Sequence, residues 1–158
     1  MRIAVLTISD SVSRGERDDR SGPALVARCR ELGWTITSAL LVSDDPTALC
    51  NQMRTIADSR SVDVLLTTGG TGVGPRDVTP EATLEIADRV IPGLAEEIRR
   101  KGAEKTPTAI LSRGVAAIRN RTIIINLPGS PKGAVESLDA IADLLPHAVE
   151  VLHGARHD

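Results

Sequence analysis

Aromatic residues are almost absent from the 158-residue chain, which carries one Trp and no Phe or Tyr. Its core must be aliphatic, and a bound base cannot be sandwiched between Phe or Tyr rings. Cysteine is scarce too: Cys29 and Cys50 fall on apolar positions of expected helices and read as buried, reduced thiols rather than a disulfide. No apolar run approaches the roughly 18 residues needed to cross a bilayer. The stretch from Met1 to Ile8 is too short for a secretory signal and passes straight into polar sequence. A cytoplasmic protein that starts here and has no membrane contact is expected. The formal net charge of -2 gives no global pull toward nucleic acid or anionic lipid, so an anionic ligand must be held by local features.

What is present is an ordinary globular composition, 41% hydrophobic and 25% charged, which fits one domain over residues 1–158. Ile3 to Ile8 is a near-continuous apolar run, the mark of a strand buried on both faces. Ser9 to Arg20 reads as a polar loop, with Arg14, Arg17, Asp18, Asp19 and Arg20 a solvated, mobile run. Gly22-Pro23 opens a helix on which Leu25, Cys29 and Leu32 repeat at helical spacing, and Gly33 closes it. Thr35 to Val42 reads as a second strand, with Trp34 at its start and hence away from any ligand at strand ends. Asp44-Asp45-Pro46 starts a helix whose buried stripe is Leu49, Met53 and Ile56. Val62 to Thr67 is a third strand.

Thr79-Pro80 caps a helix with Leu84, Ala87 and Ile91 as its expected inner face; Pro92-Gly93 breaks it, and a further helix runs to about Lys101. Leu111-Ser112 is expected at the end of a strand. Val115 to Ile118 and Thr122 to Asn126 read as a hairpin through Arg119-Asn120-Arg121. A last helix carries Val135, Leu138, Ile141, Leu145 and Leu152, with Pro146 placed to kink it. Strands alternating with helices predict a three-layer α/β/α fold with a mainly parallel sheet and one antiparallel edge segment.

Three strands end in polar or glycine-rich loops, at Ser9, at Gly69–Gly74 and at Asn126–Pro131, and ligands of open α/β sheets bind at such strand ends. Ser9, Thr71 and Asn126 should therefore share one edge. Gly69-Gly70-Thr71-Gly72-Val73-Gly74 suits a nest of backbone N–H groups around phosphate. It lacks both the P-loop Lys and the third glycine of the dinucleotide fingerprint, and a plain turn before a helix is the competing reading. Asp77 beside such a loop suits a Mg²⁺ ligand, while spacing alone favours a turn residue bonding the Thr79 N–H. One of Asp44 and Asp45 reads as a helix cap, leaving the other for function. Asn126-Leu127-Pro128-Gly129 turns into a helix whose N-terminus and Lys132 suit an anion, or merely punctuates the chain. His147, His153 and His157 have no second cluster of metal ligands and read as structural or exposed.

Taken together, Thr67-Thr68-Gly69-Gly70-Thr71-Gly72, Pro75-Arg76-Asp77-Val78-Thr79-Pro80-Glu81-Ala82-Thr83, Ile110-Leu111-Ser112-Arg113 and Asn126-Leu127-Pro128-Gly129 resemble the MogA/MoaB family of molybdenum cofactor biosynthesis. Ile8-Ser9-Asp10-Ser11 and Asp19-Arg20-Ser21-Gly22 also fit, so the match runs along the chain in order. The same domain is similar to the G domain of gephyrin. The resemblance implies a molybdopterin-binding fold, commonly trimeric, that transfers the adenylyl group of ATP to molybdopterin with Mg²⁺ and passes the product to a metal-insertion protein. It assigns catalytic and metal roles to Asp77 and Asp44, with Asp45 the alternative to Asp44. Gly69, Gly70, Thr71 and Gly72 go to the nucleotide, and Ser112, Arg113, Asn126, Pro128 and Gly129 to the pterin. A compact member that binds molybdopterin without catalysis is the alternative function.

Overall fold

The computed structural model describes residues 1–155. Its centre is a six-stranded sheet in the order β2-β1-β3-β6-β5-β4, formed by β1 (Arg2–Ile8), β2 (Thr35–Val42), β3 (Val64–Thr68), β4 (Arg89–Val90), β5 (Ala116–Arg119) and β6 (Thr122–Leu127). The neighbours among β2, β1, β3 and β6 pair in parallel, and β5 runs antiparallel to both β6 and β4. The expected antiparallel segment is thus present as a hairpin. Asn120 turns it with φ +52°, a left-handed conformation that Asn tolerates.

The three central strands are apolar along nearly their whole length because both faces are covered. On one face Ile3, Val5, Val64, Leu66, Ile123 and Ile125 meet α2 (Ser21–Glu31), α5 (Pro92–Lys105), α6 (Pro131–Ile141) and α7 (Leu145–Leu152). On the other, Ala4, Leu6, Leu65 and Ile124 meet α3 (Pro46–Asp58) and α4 (Thr79–Ile86). Period-two alternation along β1 and β3 thus separates two aliphatic cores, making the fold a three-layer α/β/α sandwich. Cys29 and Cys50 are buried and free, one in each core. Trp34 packs beside the N-terminal end of β1, where the Thr35 N–H meets the Met1 carbonyl, at the end opposite the strand-end loops.

Four expectations need correction. The segment after β1 is not all loop: Asp10–Ser13 forms a short helix, α1, because the Ser9 hydroxyl accepts the Val12 N–H at 3.3 Å. The inner face of α4 is Thr79, Ala82, Thr83 and Ile86, whereas Leu84 is 47% exposed. The helix ends at Ile86, so Ala87 and Ile91 are not on it; Arg89–Val90 becomes an edge strand instead. Threonine can line that inner face because its hydroxyls are bonded: Thr83 donates to the Thr79 carbonyl at 2.9 Å. The stretch before Ser112 is a 3-10 helix, Pro107–Leu111, not a strand. Finally, the C-terminal helix breaks at a 3-10 turn, Ala142–Leu144, just before Pro146, which sits in the first turn of α7, where its missing N–H leaves no bond unmade.

Candidate functional site

From β1 the chain crosses one face of the sheet, through α2, to β2; from β2 it crosses the other face, through α3, to β3. The two crossovers diverge at β1, and open α/β sheets place a crevice at the carboxyl ends of the strands at such a point. A cleft of about 730 Å³ lies there, lined by Ser9, Asp44, Thr68, Gly69, Gly70, Asp77, Gly129 and Ser130 and by the segment 17–21. All three loops singled out from the sequence reach it or its border: Ser9 from β1, Gly69–Gly70 from β3 and Gly129–Ser130 from β6. Thr71 and Asn126 lie on the same edge, Thr71 on the far side of the glycine loop and Asn126 beneath it.

The glycine loop is held close to its surroundings. Gly69 has φ +108°, and a Cβ there would collide with the Ile8 carbonyl oxygen. Gly70 has φ +69°, and a Cβ would strike the Thr79 hydroxyl and come within 3.2 Å of Asp44 Oδ1. Only glycine fits at either place. The Thr79 hydroxyl donates to the Gly69 carbonyl at 2.9 Å and the Thr79 N–H to the Gly70 carbonyl at 3.1 Å, which ties α4 to the loop. That N–H is therefore not bonded by Asp77, as spacing had suggested. Asp77 Oδ2 instead accepts the Gly74 N–H at 2.9 Å, and the Asp77 side chain reaches the cleft.

The two adjacent aspartates divide their roles. Asp45 caps α3, its carboxylate accepting the Ala48 N–H at 2.8 Å. Asp44 faces the cleft, and its Oδ2 accepts the Asp10 N–H at 2.9 Å. Burial pushes the Asp44 carboxyl above its ordinary range; the charges of Asp10 and Asp77 push the same way, against the Asp10 N–H and Arg76. Asp10 itself is held below the usual carboxylate range, first by its hydrogen bonds from Arg76.

A second cleft of about 610 Å³ lies on the other side of the glycine loop, lined by Thr71, Gly72, Leu111, Ser112, Pro128 and the α5 residues Lys101 and Lys105. The Ser130 side, where that hydroxyl caps α6 by accepting the Gly133 N–H at 3.1 Å, borders both clefts. Three of the residues assigned to the pterin lie elsewhere: Gly129 lines the first cleft, and Arg113 and Asn126 line neither. Arg113 spends its guanidinium on the loop: Nε donates to the Gly72 carbonyl at 2.8 Å, Nη2 to the Asp77 carbonyl at 2.7 Å, and Nη1 to Glu81 at 2.6 Å. Asn126 is buried beneath it, accepting the Val115 N–H and donating to the hydroxyls of Thr67 and Thr83.

Sequence reasoning missed several residues here. Arg17, Asp18 and Arg20 are exposed, as expected, but with Asp19 they also line the first cleft; the Asp19 carboxylate accepts the Gly22 N–H at 3.1 Å and anchors the run to α2. Arg76 and Asp10, never singled out for a role, form an ion pair at 2.8 Å beside Asp44. The signal for Asp10 was its place directly after a buried strand; Arg76 stood in a block that carries the resemblance, but nothing in sequence joined it to Asp10. Lys132 is exposed and lies 3.9 Å from Glu136. His153 Nε2 lies 2.9 Å from the Arg121 carbonyl oxygen, far from both clefts, and His157 falls outside the described residues.

Among the described residues, no group of three or more His, Cys, Asp or Glu side chains could hold a metal ion alone. Asp44 and Asp77 nevertheless suit Mg²⁺ that arrives with a nucleotide, since that ion takes one or two carboxylates and completes its shell with phosphate and water. The mutual repulsion of these carboxylates is what a cation between them would relieve.

The family model described as "Probable molybdopterin binding domain" matches residues 4–147 of the chain. The chain belongs to the MogA/MoaB molybdopterin-binding family. A relative from Escherichia coli (strain K12), named molybdopterin adenylyltransferase, is 37% identical over 175 residues, covering 98% of this chain and 86% of that protein. The crystal structure of the molybdopterin biosynthesis enzyme MoaB from Thermus thermophilus is 48% identical, with a TM-score of 0.91 and 99% of both chains covered. MoaB from Pyrococcus furiosus, described as a tungsten cofactor synthesizing protein, is 29% identical with a TM-score of 0.86 and 96% of both chains covered. No helix among the described residues is long and apolar enough to cross a membrane.

Proposed function

We propose that the chain, acting as one domain, is a Mg²⁺-dependent molybdopterin adenylyltransferase. The observation that carries this reading is the meeting of Asp44, Asp77 and the glycine loop in one cleft that adjoins a second across that loop. ATP occupies the first cleft and molybdopterin the second, so that its terminal phosphate points over the loop.

An oxygen of that phosphate attacks the α-phosphorus of ATP. A new P–O bond forms, the bond from the α-phosphorus to the bridging oxygen breaks, and pyrophosphate leaves with the electron pair. The attacking oxygen is already anionic near neutral pH, so no protein base is required and the work is positioning and charge stabilisation. Backbone N–H groups of Gly70, Thr71 and Gly72 face the phosphates, the Gly69 N–H being held by the Leu127 carbonyl at 3.1 Å. Asp44 and Asp77 hold Mg²⁺, which when bound neutralises charge on the phosphates and the leaving group. Ser112 and Pro128 contact molybdopterin and Gly129 lies on the ATP side, whereas Arg113 acts through the loop it holds and Asn126 through Thr67 and Thr83, which it ties together beneath that loop. Bases find no aromatic sandwich here; Val12 and Ile8 supply aliphatic contact in the first cleft.

The reading carries with it a homotrimer in the cytoplasm and delivery of the adenylylated product to a metal-insertion protein. Incubation with molybdopterin, ATP and Mg²⁺, followed by mass detection, tests it. Adenylyl-molybdopterin and pyrophosphate in equal amounts support it. Tight molybdopterin binding without product would make the chain a binding or scaffold protein.

A further inference from the structure

Asp10 and Arg76 lie outside the cleft, yet both are bonded to what shapes it. Neither side chain lines the cavity, although their neighbours Ser9 and Asp77 do. Asp10 and Asp44 make a reciprocal ring: the Asp10 N–H donates to Asp44 Oδ2 at 2.9 Å, and the Asp44 N–H donates to Asp10 Oδ1 at 3.0 Å. Asp10 Oδ2 then accepts from Arg76 twice, from Nη2 at 2.8 Å and Nε at 3.1 Å. The ring occupies Asp44 Oδ2 and leaves Oδ1 on the side of Gly70. Arg76 precedes Asp77, so one guanidinium joins the loop that carries Asp77 to the loop that carries Asp44.

We propose that Asp10 and Arg76 are a positioning pair that sets the spacing and orientation of Asp44 against Asp77 for a metal-bound nucleotide. The assignment rests on the nucleotide reading above. Its physical basis is that a carboxylate on a loop end has rotational freedom, and the ring removes it. A further problem is charge. Three carboxylates gather here, and the Arg76 guanidinium lies against one of them, so Asp44 is aligned by Asp10 without a second full negative charge left uncompensated beside it. Arg serves better than Lys because two of its N–H groups engage one oxygen in a fixed fork.

The test compares the intact chain with Arg76→Gln, Asp10→Asn, the double variant and Arg76→Lys. All these side chains lie at the surface or near it, and thermal melts confirm that each variant is folded. Mn²⁺ serves as a paramagnetic probe with a non-hydrolysable ATP analogue, and the same analogue is titrated without metal. Residues that orient metal ligands typically matter by about 10- to 100-fold in metal affinity. Arg76→Gln and Asp10→Asn are each expected to weaken Mn²⁺–nucleotide binding by about tenfold or more, while metal-free nucleotide binds as before. Arg76→Lys recovers part of the loss, and the double variant is no worse than the single ones. In the transfer assay kcat falls and the KM for molybdopterin holds. Unchanged Mn²⁺ binding overturns the pair's role. So does equal loss with and without metal, which would mean a role in cleft shape alone, and so does additivity of the two substitutions. Arg76-dependent Mn²⁺–nucleotide binding by a wild-type chain that makes no product supports the pair and overturns the transfer reading.

Discussion

Asp44 and Asp45 are neighbours with one chemistry and two fates, and what separates them is backbone geometry. Asp45 sits at the extended residue before α3 and spends its carboxylate on the Ala48 N–H. Asp45→Ala should therefore cost about 1 kcal/mol of stability, as lost N-caps do, and leave turnover near wild type. Asp44→Asn should do the reverse: little change in melting temperature and a large loss of adenylyl transfer. Equal effects of the two substitutions on turnover would contradict the division. Asp63 offers a separate test, remote from the cleft. It is buried, and burial is the largest single influence on it, raising its pKa. The Arg2 side-chain and backbone N–H bonds and the Arg2 charge together outweigh that, so its carboxyl is held below the usual range. A depressed folded value means stability that is present above the unfolded carboxylate pKa and is lost as pH falls through the folded one. Acid unfolding of wild type should therefore steepen below the ordinary Asp range near pH 4. Asp63→Asn should be less stable at neutral pH and lose that part of the acid dependence.

At the level of elements, the alternation of strands and helices was legible because the central strands are apolar on both faces and the helices carry turn and cap residues at their ends. The hairpin through Asn120 was legible for the same reason. The inner face of α4 was not. Counting apolar residues selected Leu84 and passed over Thr79 and Thr83, yet the threonines are fully buried because their hydroxyls are bonded to carbonyls. A periodicity argument sees polarity and cannot see that it is satisfied. The glycine loop was legible in kind, but its constraint was not: Gly69 is glycine because the end of β1 passes directly behind it. Gly69→Ala places a methyl against the Ile8 carbonyl oxygen at a positive φ. Strain at such positions runs to about 1–3 kcal/mol before any clash is counted. The variant should lose at least that much stability by denaturant melts and lose nucleotide affinity as well. A melt equal to wild type would show that the loop is freer than its contacts imply.

For the whole molecule, the topology makes the site: β1 feeds α2 over one face while α3 returns over the other, and the loops of three strands meet at the point of divergence. Composition showed which local features an anion would need, and the motifs pointed to the loops that supply them. Which residues touch a ligand was only partly legible. Ser112 and Pro128 face the second cleft, but Arg113 holds the loop from behind and Asn126 ties β3 to α4 beneath it. Seeing this required contacts distant in sequence, Arg113 and Gly72 being 41 residues apart. That the mostly exposed charged residues 17–20 border the cleft was not legible, because their anchor, the Gly22 N–H, is backbone. The central claim is that the cleft bearing Asp44 and Asp77 transfers an adenylyl group. Its most direct test is a single-turnover reaction of wild type and Asp77→Asn with ATP, Mg²⁺ and saturating molybdopterin. A carboxylate that retains the metal acts on the transition state, so Asp77→Asn should form adenylyl-molybdopterin on the order of a hundredfold more slowly with molybdopterin affinity unchanged. Asn can still accept the Gly74 N–H, so a purely structural Asp77 would leave the rate near wild type, and that result would contradict the account.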